Sequence, residues 1–325
     1  RARDYFRAQA GRVELVGAPR VVPGGEPIKN DPRFVWKIAG DLLQAGLDRH
    51  ASVVVAGGGA VLDAVGFAAA LPHRGLRLVR LPSTTLSQAD SGVGVKNGVN
   101  HGGVKNALGV FAPPFAVLND LDWLRTLSDD DWMGGVAEAI KVAVIRDAAF
   151  FRELFARAPD LRRRSDETME RTVRRCAELH LHHIRTAGDP FEQGAARPLD
   201  FGHWAAHELE SLSRNRVRHG TAVAFGIRLD TLYARRRGWL DAAAADAVTG
   251  LLDRCGFPAW HSALDRCGAD GRPAVLAGIE RFREHLGGRL AVTFPRGIGV
   301  GFESDDLDPA VVVQCLDELR ATAAR

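Results

Sequence analysis

The chain has 325 residues, 46% hydrophobic and 26% charged, with a formal net charge of +3. That charge is too weak to argue for nucleic acid or membrane binding, and no apolar run reaches the roughly 18–20 residues that span a bilayer. The opening RARDYFRAQAG lacks a signal-peptide pattern, and four scattered cysteines (Cys176, Cys255, Cys267, Cys315) without a CxxC pair are expected to be free thiols in the cytoplasm.

Up to about residue 125, short apolar runs alternate with helical stretches. RVELVG (12–17), SVVVAGG (52–58), LRLVRLP (76–82) and FAVLND (115–120) read as buried parallel strands. Helical spacing covers 31–50 and 60–73. Such alternation predicts an open α/β sheet. After Asp122 the pattern turns helical, over 129–158, 166–188, 199–212, 219–238 and 241–256, with a late hairpin at 289–303. The Arg-rich run 161–175 is interleaved with acids and reads as a solvated helix face rather than a phosphate or RNA site. Two domains are expected, divided near residue 125.

Three stretches carry chemistry. In VVVAGGGAVLDAVG a triple glycine (Gly57, Gly58, Gly59) joins a strand to a helix that carries Asp63. Its backbone could approach a pyrophosphate at the helix N-terminus, though packing alone also explains such a turn. Residues 81–109 form a long polar, glycine-rich segment with Asp90, Lys96, Asn97, Asn100, Lys105 and Asn106. It suits a phosphorylated ligand, or else is a flexible surface loop. His203 and His207, four apart, share a helical face, and His219 follows. Glu138 and Lys141 lie one turn apart upstream. One carboxylate with two imidazoles matches a catalytic zinc site, but HxxxH lacks the glutamate of HExxH, so spacing alone leaves a structural role open.

Taken in order, the triple glycine with Asp63, HRG before a strand, PSTT followed by Asp90-Ser91, the Lys96–Asn106 segment, AEAIK, GHWAAH and HG resemble the 3-dehydroquinate synthases and their sugar phosphate cyclase relatives. The resemblance runs from GGEPIKND (24–31) to FPRGIGVG (294–301). It implies a Rossmann-like NAD domain over 1–125 and a mainly α-helical metal and substrate domain over 126–325. It also implies zinc or cobalt on Glu138, His203 and His219, with His207 as an acid–base group near the substrate phosphate. Asp90, Lys96, Lys105, Asn106 and Lys141 would contact substrate, phosphate and nicotinamide. Glu26, Lys29, Gly57, Gly58, Gly59, Asp63, Ser83, Thr84 and Thr126 would complete the NAD site, with Asp90 and Lys105 beside it. Arg74 would reach the phosphate of a neighbouring subunit, implying a homodimer. The activity implied is cyclisation of a sugar phosphate with loss of phosphate and no net redox change.

The chain departs from the shikimate members where they hold a substrate carboxylate. His180 stands where a lysine is expected, Arg197 is displaced by one position and followed by proline, and Asp200 replaces an asparagine. His285 stands near the place of a phosphate-contacting lysine, and Thr221 follows HG, where a glutamate would serve the second shell of His219. An aspartate repels a substrate carboxylate but accepts hydrogen bonds from hydroxyls. These changes favour a neutral-headed substrate such as sedoheptulose 7-phosphate and a C7 cyclitol product. A 3-dehydroquinate synthase, a metal-dependent polyol dehydrogenase and an inactive homologue are the alternatives. Family members also carry an N-terminal strand region before the part matching this chain, so an exposed sheet edge is expected.

Overall fold

A computed structural model describes residues 2–102, 104–186 and 198–323. Backbone contacts divide the chain into two compact units, Arg1–Ser83 with Gly94–Asp120, and Thr84–Val93 with Leu121–Arg325.

The first unit opens with α1 (Ala2–Ala8). The strand expected over residues 12–17 does not form: Val13, Leu15 and Val16 are exposed, and no described strand pairs with them. β-branched composition is not enough where no neighbour offers a ladder. Helix α2 (Arg33–Gln44) buries Val35, Ile38 and Ala39. Strand β1 (Ser52–Gly57), helix α3 (Gly59–Ala70) and strand β2 (Arg77–Pro82) then make a parallel β–α–β unit, in register from Ser52↔Arg77 to Gly57↔Pro82. Gly57 is required by packing, since a Cβ there would lie 2.7 Å from that of Val61.

The polar segment is ordered structure, not a loop. β3 (Lys96–His101) and β4 (Val104–Phe111) pair antiparallel, crossing backbone to backbone at Gly98 and Gly109. The fully buried Arg80 of β2 holds this hairpin, with Nη1 donating to Gly94 O (2.7 Å) and Nη2 to Asn97 Oδ1 (2.6 Å). Asn97 in turn lies so close to α3 that only a glycine fits at position 66. β5 (Ala116–Val117) joins β2, giving the parallel order β1-β2-β5.

The second unit is helical. Ser128 caps α4 (Asp129–Arg146), whose first turn holds three aspartates that favour the helix N-terminus. The single helix expected over 129–158 breaks at Asp147, an extended residue whose carboxylate accepts from Ala149 N and Phe150 N and so starts α5 (Ala148–Arg162). On α6 (Asp166–Thr186), Glu167–Arg171 and Glu170–Arg174 pair at 3.0 and 2.9 Å, making the solvated face that the Arg-rich run suggests. Next come α7 (His203–Leu212), α8 (His219–Arg236), α9 (Ala242–Arg254) and α10 (Ala277–His285). The hairpin of β6 (Val292–Gly297) and β7 (Val300–Ser304) and helix α11 (Pro309–Ala323) close the chain. One core, including Trp132, Trp204, Phe201, Tyr233 and Phe294, is built around α4 and α8. Among the described residues no helix is long and apolar enough to cross a membrane, and the four cysteines are unpaired.

Candidate active site

Glycines bring the ligand-bearing helices together. A Cβ at Gly220, next to His219, would lie 2.4 Å from Gly134 Cα, so the first turn of α8 packs backbone to backbone on α4 one turn before Glu138. A Cβ at Gly226 would lie 1.9 Å from Gly202 O, which presses the start of α7, and His203 with it, onto α8. Gly202 itself has φ 79, the left-handed conformation glycine adopts without strain. Asp230 of α8 fastens the same corner, with Oδ2 accepting from Gly202 N (3.0 Å) and Oδ1 from Trp204 Nε1 (2.8 Å), on either side of His203. Burial pushes its carboxyl up to about 7, against the pull of those two donors.

Glu138, His203 and His219 converge, with their ligand atoms within 4.8 Å of one another. The Nε2 atoms of His219 and His203 lie 3.2 and 3.7 Å from Glu138 Oε1. Each ring is oriented through its other nitrogen, Nδ1 of His203 against Phe201 O (3.2 Å) and Nδ1 of His219 against Glu210 Oε2 (3.2 Å). That arrangement presents Nε2 of both rings and is how metal-binding histidines are commonly held. Glu138 is wholly buried, yet neither oxygen completes a well-aligned hydrogen bond. Burial would raise its carboxyl, but the charge of Lys141, 2.5 Å away, and the His219 ring outweigh that and hold it down at about 2. Burial, Lys141 and the neighbouring rings keep His203 neutral, while Glu210 and Glu138 overcome burial to raise His219 to about 10. A carboxylate with two orphaned oxygens, facing one neutral and one proton-attracting imidazole, fits a divalent cation.

Glu210 corrects the expectation drawn from Thr221. The carboxylate behind His219 comes from α7, seven residues after His203 and on the same helical face. That i, i+7 spacing was the available signal.

Lys141 faces two further carboxylates. Asp90 Oδ2 is 3.8 Å from its Nζ, and Asp200 lies close enough to add to the field that, against burial, raises the lysine above its ordinary range. His180 Nδ1 sits 2.7 Å from Asp90 Oδ1. Burial would raise the Asp90 carboxyl, but Lys141 and the hydrogen-bonded His180 outweigh it and hold it down at about 2. The segment carrying Asp90 is spliced onto α4 by Thr85, whose Oγ1 donates to Asp131 O (2.7 Å) and accepts from Gly135 N (3.0 Å). The hydroxyl thereby stands in for one turn of the helix ladder. His207 is exposed beside the cluster, its ring centroid 5.4 Å from that of His203 and 6.0 Å from that of His219.

In the first unit, Lys29 Nζ donates to Asp63 Oδ2 (2.8 Å) and Asn106 Oδ1 (2.5 Å). Asn100 Nδ2 donates to Glu26 Oε1 (2.7 Å). These bonds join the glycine-turn helix to the hairpin. Gly57, Gly58 and Gly59 are half-buried at the start of α3, Ser83 N donates to Gly57 O, and Lys96 and Asn106 are exposed, with Lys105 half-buried. Arg74 is exposed with φ 68. Thr84 and Thr126 belong to the second unit, Thr126 exposed. Arg197 and the side chain of His285 lie outside the described residues.

Fold and site together define an α/β unit with a glycine turn and a helical unit with a Glu-His-His cluster. Residues 20–134 match the family model "3-dehydroquinate synthase N-terminal" and residues 135–270 "3-dehydroquinate synthase C-terminal". The chain belongs to the 3-dehydroquinate synthase family. It is 34% identical to 2-epi-valiolone synthase of Actinosynnema mirum over 96% of this chain and 80% of that one. It is 33% identical to 3-dehydroquinate synthase of Cereibacter sphaeroides over 98% and 85%. Its structure is similar to ValA, the 2-epi-5-epi-valiolone synthase of Streptomyces hygroscopicus solved with NAD+ and Zn2+ bound. The TM-score is 0.88 at 28% identity, covering 99% of this chain and 89% of that one.

Proposed function

We propose that the chain is an NAD- and divalent-metal-dependent sugar phosphate cyclase, a phosphate-eliminating lyase that forms a C7 cyclitol of the valiolone type from sedoheptulose 7-phosphate. The charge balance around Lys141 carries the choice of substrate. One lysine faces Glu138, Asp90 and Asp200, and a divalent cation would bring that set to neutrality. Among the described residues of that set no positive charge is left over for a substrate carboxylate, and His180 is engaged by Asp90. A polyol head, which offers hydroxyls to those carboxylates, suits the pocket.

Glu138, His203 and His219 would hold Zn2+ or Co2+. Glu26, Lys29, Gly57, Gly58, Gly59, Asp63, Ser83, Thr84 and Thr126 would hold NAD+. When bound, the cation polarises a substrate oxygen, and NAD+ accepts and returns one hydride, so the reaction shows no net redox change. The chain's own residues do the rest. Asp90 and Lys141 orient the ring hydroxyls, and His207 carries a proton at its exposed ring. Lys96, Lys105 and Asn106, with Arg74 of a second copy and His285, stabilise the phosphate as its C–O bond breaks. Ring opening and an intramolecular aldol addition close the carbocycle. A homodimer and a cytoplasmic location belong to the same reading.

The test is phosphate release by the full chain with NAD+ and Zn2+ or Co2+, with product masses measured. Sedoheptulose 7-phosphate and the carboxylated precursor of dehydroquinate are compared side by side. Release from the first with a C7 cyclitol is expected. Release from the second alone would make the chain a 3-dehydroquinate synthase, and accumulating NADH from a plain polyol would make it a dehydrogenase.

A further inference from the structure

We propose that the solvent side of the histidine cluster is a second divalent-cation site, formed by His207, Glu210 and Nδ1 of His219. Ligand atoms of these three lie within 4.8 Å of one another, as do those of Glu138, His203 and His219. The two sets meet at one residue and use opposite edges of its ring. His219 Nε2 is 3.2 Å from Glu138 Oε1, and Nδ1 is 3.2 Å from Glu210 Oε2. Glu138, His203 and Glu210 are buried, whereas His207 is exposed, so the second set reaches solvent at His207.

His207 and Glu210 stand three apart on α7, which sets them side by side on one face. Their chemistry, two imidazoles and a carboxylate with a fourth position left to water, is that of a three-ligand zinc site. Occupation requires His219 to give its Nδ1 proton to solvent and bridge two cations as imidazolate, with Glu210 turning from hydrogen-bond acceptor to ligand. His207 is exposed and His219 already serves the first set, so the second site is weaker than the first. Zn2+ at high concentration therefore takes His207 away from proton transfer, so excess zinc inhibits; this last consequence rests on the cyclase reading, and the site itself does not.

Metal-free full-length protein would be dialysed to equilibrium against increasing Zn2+ and bound zinc counted. The wild type is expected to fill in two steps approaching two ions per chain, the second at least about tenfold weaker. His207→Ala should keep the first step and lose the second, and His207→Gln, closer in size, should do the same. Saturation of the wild type at one ion per chain would overturn the site. So would a second step unchanged in both variants, which would place that ion elsewhere. In parallel, phosphate release should rise and then fall with Zn2+ in the wild type. Two-step binding without turnover of any sugar phosphate would sink the cyclase reading and leave the site standing. One-step binding with turnover would do the reverse.

Discussion

Glu138, Lys141 and His203 stand on helices buried along most of their length, whereas Lys96, Lys105 and Asn106 stand on a hairpin whose second strand is largely exposed. The first group is fixed by backbone-to-backbone packing at Gly220–Gly134 and Gly226–Gly202 and by Asp230. The second is tied largely by side chains, Arg80 beneath the hairpin and Lys29 at Asn106, with Asn100 N donating to Lys29 O (2.8 Å). A cation site needs ligand atoms placed within a few tenths of an ångström before the ion arrives, and a packed core supplies that. Residues that answer a charged, mobile ligand can stay solvated until it binds.

Glu138→Gln tests the buried side most severely. Zinc content and phosphate release should both disappear while far-UV circular dichroism and the thermal transition remain, because a neutral amide relieves the buried charge but ligates poorly. Full zinc occupancy in that variant would remove Glu138 from the site.

Gly226→Ala comes next. The added methyl would meet Gly202 O and C, backbone atoms that cannot swing aside, so a destabilisation of roughly 3–5 kcal/mol by denaturant titration is expected. The matching change on the hairpin is Gly102→Ala. There φ is 58 and no atom lies within 4 Å, so only conformational strain of about 1 kcal/mol is at stake. Equal costs would break the contrast between a packed and a solvated site.

The pH dependence of stability separates the two regions as well. The folded carboxyl of Asp230 is raised to about 7, above the ordinary aspartate value of 3.8. The folded state therefore binds the extra proton between those limits, and stability falls as pH rises from about 4 through 7, then levels off. The full excursion is on the order of 4 kcal/mol. In Asp230→Asn this slope should vanish, so the stability difference between wild type and variant should change with pH over that range. A difference that stays flat with pH would show that Asp230 titrates normally in the fold. Glu210→Gln should be milder, weakening zinc about 10–100-fold through the loss of charge behind His219.

Much of this was legible in residue order. The β–α–β unit, the helical second half and the late hairpin follow from periodicity, and the Glu138, His203, His219 set from motif order. What escaped was non-local. No pattern in residues 12–17 reveals that they lack a partner strand, and the polar run 96–111 reads as loop because the group that orders it, Arg80, lies on another strand. Asp147 reads as a helix-interior residue by periodicity, whereas its carboxylate caps α5. Thr85 and Asp230 acquire meaning from groups far along the chain, including backbone groups 46 and 28 residues away. Arg197 and the side chain of His285 lie outside the described residues.

The smallest effect on the fold is the sharpest test of the solvated side. Lys96 begins β3 with its side chain exposed, so Lys96→Ala should shift stability by no more than about 0.5 kcal/mol and leave zinc binding untouched. If the lysine serves the substrate phosphate, KM for the sugar phosphate should rise, and inorganic phosphate should inhibit less strongly than in the wild type. Loss of the charge and no change in shape predict that arginine at this position restores both. A variant that lost zinc or stability instead would mean that Lys96 helps to hold the fold and is not reserved for the ligand.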